Sequence, residues 1–296
     1  MTDGYITTDD GVRLYFECIG AGERLLLVPN GPPFLDQLQP LAATRRVVAF
    51  DARNRGRSDR VTDEARLARE LDFEVDDIDA VRRYFGADDV DLLGHSYVGL
   101  LAILYAIRFP AHVRRVIQIC PAGPDGRATY PLERADDIAV RQEVLERLAA
   151  WAAPYRSFAA QAPADAVERC RRGWDVLRPL YVVDPADVSK LDSFERCSLE
   201  SERHAFEVVV GRIMPALSAL TLGAEDLAAV RGPVLTIHGR RDRSAPYAGG
   251  REWARLLPNA RLVTVENAGH MPWIESPAEV LGAIETFLTS PEPAKA

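Results

Sequence analysis

The order of strand-like and helix-like segments constrains the fold of this chain more than any other feature of its sequence. Short apolar runs such as RLLLV at 24–28, RRVVAF at 45–50 and DVDLLG at 89–94 alternate with segments whose apolar residues recur at helical spacing. Strands that alternate with helices favour a mostly parallel sheet with helices on both faces. The sequence therefore predicts an α/β fold, opened by a hairpin in which two alternating runs flank the turn Asp9-Asp10-Gly11.

The alternation stops from about residue 124 to 226 and returns after Gly232 with the runs PVLTIHG and ARLVTVE. We expect a core domain of residues 1–123 and 227–290, a helical domain of residues 124–226 inserted into it, and a disordered tail at 291–296. Two sets of apolar residues in the insertion recur at helical spacing and predict two apolar helix faces. They are Ile138, Leu145, Leu148 and Ala152, followed by Phe206, Val210, Ile213 and Leu217.

The charge and cysteine content exclude several classes of protein. A net charge of −8 and a pI near 5.3 disfavour nucleic acid and anionic membranes as partners. The N-terminus lacks the basic start and apolar core of a signal peptide, and no run is long enough to span a membrane. The four cysteines form no CxxC pair and no metal-type spacing, which predicts reduced thiols, no metal site and a cytoplasmic protein. Cys120 lies in an apolar run and is expected to be a small core residue.

Ser96, in LLGHSYVGLL, marks the predicted site because it falls where a strand turns directly into a helix. Ligands of open parallel sheets bind at the carboxyl ends of the strands. A sharp strand-to-helix turn exposes a serine hydroxyl and aims the N-terminus of the helix at it. The backbone N–H of Tyr97 then faces an oxyanion that forms on a carbonyl attacked by Ser96.

A serine nucleophile needs a base, and the base needs a carboxylate that orients it. Asp242 and His270 each follow a later predicted strand, and the chain order Ser, Asp, His is the one expected for this architecture. We therefore predict a triad of Ser96, Asp242 and His270.

The other histidines are weaker candidates for the base. His95 is expected to point away from Ser96, His112 lies in a loop, His238 belongs to its strand, and His204 belongs to the helical insertion.

With these residues in place, the sequence resembles the α/β-hydrolase fold family over nearly its whole length. GHSYVG is similar to the nucleophile elbow of that family, HGRRDRSAP to its acid loop, NAGHMPW to its histidine loop, and FDARNRGRSD to its Asp-x-Arg-(Gly/Asn)-x-Gly-x-Ser loop. VPNGPPF stands in the place of the His-Gly-Gly-Pro-Gly oxyanion loop. This alignment implies that the N–H of Gly31 is the second oxyanion donor, with Phe34 close by as a possible substrate contact.

The chain departs from the family pattern at two points. Pro29 and Asn30 replace the usual His-Gly, which implies a differently shaped oxyanion loop. Val98 replaces a glycine where helix and strand pack closely, and its branched side chain needs extra room. We expect Val98 to reshape the elbow without abolishing it.

The insertion resembles the cap of this family, and ESERHAF at 200–206 is similar to the Glu-Asn-His-Tyr-Phe motif of proline iminopeptidases. This resemblance implies that Glu202 holds a substrate amino group, whereas an acidic residue near a helix N-terminus is the purely structural interpretation. The elbow argues against a true iminopeptidase, because that group typically has Gly-Gly-Ser-Trp-Gly. Five aromatic residues either line an apolar pocket or pack the cap helices: Trp151, Tyr155, Phe158, Trp174 and Tyr181.

The resemblance thus implies a cytoplasmic serine hydrolase that cleaves a small ester or amide without metal or organic cofactor. Three alternatives stay open: a proline-iminopeptidase-like aminopeptidase, a carbon–carbon bond hydrolase, and a ligand-binding protein of this fold that hydrolyses slowly or not at all. Trp151 and Glu202 are the possible substrate contacts of the cap. The sequence determines neither the substrate nor the oligomeric state.

Overall fold

The structure is a computed structural model that describes residues 1–69, 71–153 and 166–291. Eight strands form one sheet in the order β1-β2-β4-β3-β5-β6-β7-β8. Strand β1 pairs antiparallel with β2, β2 pairs antiparallel with β4, and the other pairings are parallel. The strands are β1 Thr2–Thr7, β2 Arg13–Ile19, β3 Arg24–Val28, β4 Arg45–Phe50, β5 Val90–His95, β6 Val113–Ile119, β7 Val234–Gly239 and β8 Ala260–Val265. The predicted N-terminal hairpin and the predicted parallel sheet are both confirmed.

Helices connect the parallel strands and cover both faces of the sheet. In the core these helices are α1 Leu35–Leu38, α2 Glu64–Leu67, α3 Leu71–Tyr84, α4 Tyr97–Arg108, α10 Tyr247–Leu256, α11 Pro272–Glu275 and α12 Pro277–Thr289. Between β6 and β7 lie α5 Ala135–Ala152, α6 Ala166–Leu177, α7 Glu200–Val208, α8 Met214–Ala219 and α9 Ala224–Leu227. A π-helical turn, Val209–Ile213, joins α7 to α8.

Alternate side chains of the strands enter two separate hydrophobic clusters, one on each face of the sheet. In β3, Leu25 and Leu27 pack in the cluster that α3 and α4 cover, whereas Leu26 and Val28 pack in the cluster under α1 and α12. This alternation is the period of two that a strand imposes on its side chains. Because both of its faces are buried, the central strand β3 consists almost wholly of apolar residues.

The first helix of the insertion, α5, contains the whole predicted stripe from Ile138 to Ala152, but this stripe is not its buried face. Ile138 and Leu145 are each 48% exposed, whereas Asp137 and Val144 are buried. The Asp137 carboxylate accepts hydrogen bonds from Arg241 Nε at 3.0 Å and from Arg243 Nε at 2.7 Å. These ion pairs with the loop after β7 turn the Asp137 side of α5 inward, and the Ile138 side outward.

The second predicted stripe is confirmed where it is described. Ile213 and Leu217 are buried, and they pack in the same cluster as α4. The side chains of Phe206 and Val210, like that of His204, lie outside the described residues, as do Tyr155, Phe158 and the tail from 292 onward.

Two of the four cysteines correct the expectation of reduced thiols. Cys170 of α6 and Cys197, just before α7, form a disulfide with their Cα atoms 5.7 Å apart. The two cysteines are separated by 27 positions in the sequence and form no recognisable motif, because the helical packing of the insertion is what brings them together. Cys18 and Cys120 are free and buried, as expected for core residues. Since disulfides are rare in the cytosol, the cysteines no longer support a cytoplasmic location.

Within the described ranges, no helix has the length and apolar character needed to cross a membrane.

Candidate active site

Ser96 lies in a sharp turn between β5 and α4, with backbone angles φ 59° and ψ −133°. A positive φ is unfavourable for a residue with a side chain, and such strain is typical of a nucleophile elbow. The turn is held by a hydrogen bond from Ser96 N to Ile119 O at 2.9 Å. Ser96 is partly exposed at the carboxyl edge of the sheet, as the sequence predicts.

Val98 does not prevent the close packing of α4 on β5, because two other glycines supply the space. A Cβ at Gly94 would lie 2.4 Å from the carbonyl oxygen of Val98, and a Cβ at Gly99 would lie 3.0 Å from the carbonyl oxygen of Gly94. Val98 itself is buried among the apolar residues of its cluster. The elbow therefore forms with a valine at this position.

Asp242 and His270 are joined by a hydrogen bond of 2.8 Å between His270 Nδ1 and Asp242 Oδ2. Both are buried, in the loops that follow β7 and β8. The other oxygen, Asp242 Oδ1, accepts the N–H groups of Ser244 and Ala245, each at 2.8 Å. Burial opposes the charged form, but His270 and the hydrogen bonds from His238 and His270 outweigh it, so the pKa of Asp242 is lowered from its ordinary value. Asp242 therefore stays ionised and orients the imidazole.

His238 is a second histidine on Asp242, and the sequence reasoning missed this contact. Its Nε2 lies 2.8 Å from Ala245 O and 3.3 Å from Asp242 Oδ2. The ring is fully buried at the end of β7. Its position four residues before Asp242 is the one sequence signal that was available for this contact.

His95 lies against His270 and not away from the site. Its ring centroid is 4.5 Å from that of His270, and its Nε2–H donates to His270 O at 2.9 Å. Burial lowers the pKa of His95 well below its ordinary value, so the ring is neutral. His95 thus supports the backbone of His270, and its lowered pKa makes it a weaker base than an ordinary imidazole.

The predicted oxyanion loop contains Gly31 at φ 89°, immediately before the 3₁₀ turn Pro32–Phe34. Asn30 fixes this loop to the elbow. Its Oδ1 accepts the N–H of His95 at 2.8 Å, and its Nδ2 donates to His95 O at 3.3 Å. The replacement of His-Gly by Pro29-Asn30 therefore adds a two-point contact between the oxyanion loop and the strand that carries Ser96.

An ion pair with the insertion supports the same loop from the other side. The carboxylate of Asp51, after β4, is buried and accepts Arg196 Nη1 at 2.5 Å and Nη2 at 2.9 Å. A Cβ at Gly31 would lie 2.6 Å from Asp51 Oδ1 and 3.4 Å from Arg196 Nη1. The backbone of Gly31 therefore rests directly on this pair, and Arg196 neutralises a negative charge beside the predicted oxyanion donor.

Glu275, in α11, joins the insertion to the loop of His270. Its Oε2 accepts Gly269 N at 2.6 Å, and its Oε1 accepts Val183 N at 2.7 Å and Asp184 N at 3.4 Å. Nearby, Met271 N donates to Tyr181 O at 2.9 Å, and the Tyr181 ring stacks on His270 at 5.6 Å. One carboxylate thus bridges residues 183–184 and the residue just before the predicted base.

The three predicted substrate contacts are engaged in other interactions. Phe34 is buried against Trp273, with ring centroids 4.8 Å apart, and Trp151 packs over Gly173 between α5 and α6. Glu202 Oε1 accepts Gly56 N at 2.8 Å and lies 3.9 Å from Arg196 Nη1. Of the predicted aromatic residues that the structure describes, which are Trp151, Trp174 and Tyr181, Tyr181 is the one that stacks on His270.

Among the described residues, one set of potential metal ligands converges, and it is Cys120, Asp242 and His270. Burial raises the pKa of the Cys120 thiol well above its ordinary value, so it is not a thiolate. Its Sγ instead accepts Gly239 N at 3.4 Å and donates to Gly269 O at 3.5 Å. These contacts fit a packing role that joins the ends of β6, β7 and the His270 loop.

Comparison with known proteins agrees with this geometry. The chain matches the family model described as alpha/beta hydrolase fold over residues 30–277, and it belongs to that family. It is 27% identical to a proline iminopeptidase of Heyndrickxia coagulans, over 98% of this chain and 99% of the relative. It is also 27% identical to a 2-hydroxymuconate semialdehyde hydrolase of Pseudomonas putida, over 88% of this chain and 82% of the relative. The solved structure of an esterase from Exiguobacterium antarcticum shares the fold, with a TM-score of 0.72 at 18% identity over 98% of this chain and all of the other.

Replacing Arg196 by methionine is expected to lower kcat for a chromogenic ester by about 10- to 100-fold, because the buried Asp51 charge then lies unpaired beside Gly31. Arg212→Met is the matched control, since Arg212 pairs with Glu64, another contact between insertion and core, at an exposed position. Arg196→Met/Asp51→Asn should recover part of the loss, because it removes the uncompensated charge. Equal effects of Arg196→Met and Arg212→Met would contradict this role.

Replacing Glu275 by glutamine is expected to lower kcat about tenfold with little change in KM, because an amide has one acceptor oxygen for the N–H groups on its two sides. Glu279→Gln, at an exposed position on α12, is the control. Steady-state kinetics on the folded variants measure kcat and KM for this comparison. A wild-type kcat in Glu275→Gln would show that the bridge does not position His270.

Proposed function

We propose that this protein is a serine hydrolase that cleaves small esters through an acyl-enzyme. The observation that carries the proposal is the buried Asp242–His270 hydrogen bond at the same edge of the sheet as the strained elbow of Ser96. The hydrolase names of the relatives support the same reaction class.

Ser96 Oγ attacks the carbonyl carbon of the ester while His270 Nε2 takes the hydroxyl proton. Because Nδ1–H of His270 donates to Asp242, Nε2 carries no proton and is the basic nitrogen. The N–H groups of Tyr97 and Gly31 bind the oxyanion of the tetrahedral intermediate. As the intermediate collapses, the carbon–oxygen bond to the leaving alcohol breaks, and His270 gives its proton to that alcohol.

Water then attacks the acyl-enzyme with His270 again as the base. The second intermediate releases the carboxylic acid and returns the proton to Ser96. None of these steps requires a metal ion or an organic cofactor.

The insertion, residues 124–226, acts in this proposal as a cap over a core of residues 1–123 and 227–290. Its contacts with both halves of the site support this role: Glu275 accepts the N–H groups of Val183 and Asp184, and Arg196 pairs with Asp51. A cap attached in this way limits the size of the acyl and alcohol groups that reach Ser96.

The contacts that Glu202 already makes favour an ester over an aminoacyl substrate. Its carboxylate already accepts the N–H of Gly56 and lies beside Arg196. A substrate ammonium would have to compete with these groups.

A carbon–carbon bond hydrolase uses the same fold, and the name of the Pseudomonas putida relative supports that alternative. Comparing a simple ester, an aminoacyl arylamide and a vinylogous diketone separates the three reactions.

Ser96→Ala is expected to lower kcat for a chromogenic ester by about 10³-fold or more, and Asp242→Asn by a smaller factor. Ser218→Ala, which removes an exposed hydroxyl that donates to Met214 O, should leave kcat unchanged. Circular dichroism checks that each variant is folded. Turnover by Ser96→Ala at the wild-type rate would refute the mechanism.

A further inference from the structure

Three arginines occupy alternate positions in the loop after β4, and two of them are paired with carboxylates. Arg53 donates to Asp77 from Nε at 2.8 Å and from Nη2 at 2.6 Å, and Arg57 Nη1 lies 3.0 Å from Glu17 Oε1. Arg55, between them, differs. Among the described residues, no carboxylate oxygen lies within 4.0 Å of its guanidinium, and its one side-chain hydrogen bond goes from Nη2 to Tyr97 Oη at 3.3 Å.

Arg55 is held close to the predicted reacting groups. Tyr97 directly follows Ser96, and its ring centroid is 5.8 Å from the Arg55 guanidinium carbon. The ring of Tyr181 stacks on His270. Burial raises the pKa of Tyr181, and the positive charge of Arg55 partly opposes this increase, so Arg55 also lies near this ring. The guanidinium therefore lies close both to the residue that follows Ser96 and to the ring that stacks on His270.

The backbone around Arg55 is fixed by the loop itself. Arg55 N donates to Ala52 O at 3.1 Å, and Ser58 N donates to Arg55 O at 2.9 Å. Gly56 is fixed to the insertion through Glu202. A cation on a rigid loop loses little conformational freedom when it binds a ligand, which favours specific recognition.

The charge of Arg55 is only partly offset by its surroundings. The nearby Glu74 is buried, which raises the pKa of its carboxyl to about 7, so much of it is uncharged near neutral pH. Glu202 is already shared between Gly56 N and Arg196. Arg55 is itself partly exposed, so guanidinium N–H groups remain free to meet a ligand.

We propose that Arg55 forms an anion-binding subsite beside Ser96, and that the preferred substrates are esters whose acyl group carries a carboxylate, such as monoesters of short dicarboxylic acids. A guanidinium binds a carboxylate through two parallel N–H···O bonds, which makes it selective for this group. The proposal rests on the serine hydrolase function above and specifies its substrate class.

The test compares two chromogenic esters of similar size, p-nitrophenyl butyrate and mono-p-nitrophenyl glutarate, which differ chiefly in the terminal carboxylate. The wild-type enzyme should prefer the glutarate monoester by about tenfold or more in kcat/KM. Arg55→Met should lower kcat/KM for the monoester by at least about tenfold, mainly through KM, and change the butyrate ester by less than about threefold. Arg55→Lys should keep part of the preference.

Arg57→Met is the matched control, because it removes the same charge from the same loop at an exposed site paired with Glu17. It should leave the preference between the two esters unchanged. Equal losses on both esters in Arg55→Met would show a structural role and overturn the proposal. A wild-type enzyme without preference for the monoester would overturn it as well.

Binding of free glutarate, measured by titration calorimetry, separates this inference from the proposed chemistry because it requires no turnover. Wild-type protein and Arg57→Met should bind glutarate at least about tenfold more tightly than Arg55→Met does. If neither ester is hydrolysed but glutarate still binds more tightly to wild-type protein than to Arg55→Met, the serine hydrolase mechanism is refuted and the anion-binding site is supported. Equal affinities in wild type and Arg55→Met would refute the anion site whatever the enzyme hydrolyses.

Discussion

The buried hydrogen bond between Asp242 and His270 is the interaction on which the proposed chemistry depends. A carboxylate this deeply buried is costly unless its oxygens are satisfied. Here two backbone N–H groups hold one oxygen and two histidines approach the other. Because Asp242 stays charged, it holds the proton of His270 on Nδ1 and keeps Nε2 as the basic nitrogen.

The helical insertion contacts both halves of the site through charged side chains. Glu275 connects it to the loop of His270, and the Arg196–Asp51 pair connects it to the predicted oxyanion loop at Gly31. Each contact is buried or half-buried, where a charged hydrogen bond is stronger than at the surface. A movement of the insertion would therefore disturb the loops of His270 and Gly31 together, and in the proposed mechanism these residues are the base and an oxyanion donor.

The sequence predicts those parts of the site that depend on local structure. A strand that ends at Ser96, and two later strands that end before Asp242 and His270, are enough to bring three side chains to one sheet edge, because parallel strands share that edge. Val98 does not abolish the elbow, as expected. The reason becomes visible only when Gly94 and Gly99 are placed against each other.

The sequence does not predict contacts between segments far apart in the chain. The Cys170–Cys197 disulfide and the pairing of Asn30 with His95 depend on tertiary packing. The periodicity of α5 identifies a helix but not its buried face, because Asp137 is turned inward by Arg241 and Arg243 of another loop. For the same reason no pattern distinguishes Arg55 from Arg53, which has its own carboxylate partners, until the partners of both are known.

The most direct test of the account is the intact mass of the protein after exposure to a fluorophosphonate, which phosphonylates a serine only where a base and an oxyanion site activate it. The account predicts a single adduct on wild-type protein, and no adduct on folded Ser96→Ala. Failure of folded wild-type protein to react, or an adduct that persists in Ser96→Ala, would contradict the assignment of Ser96 as the activated nucleophile.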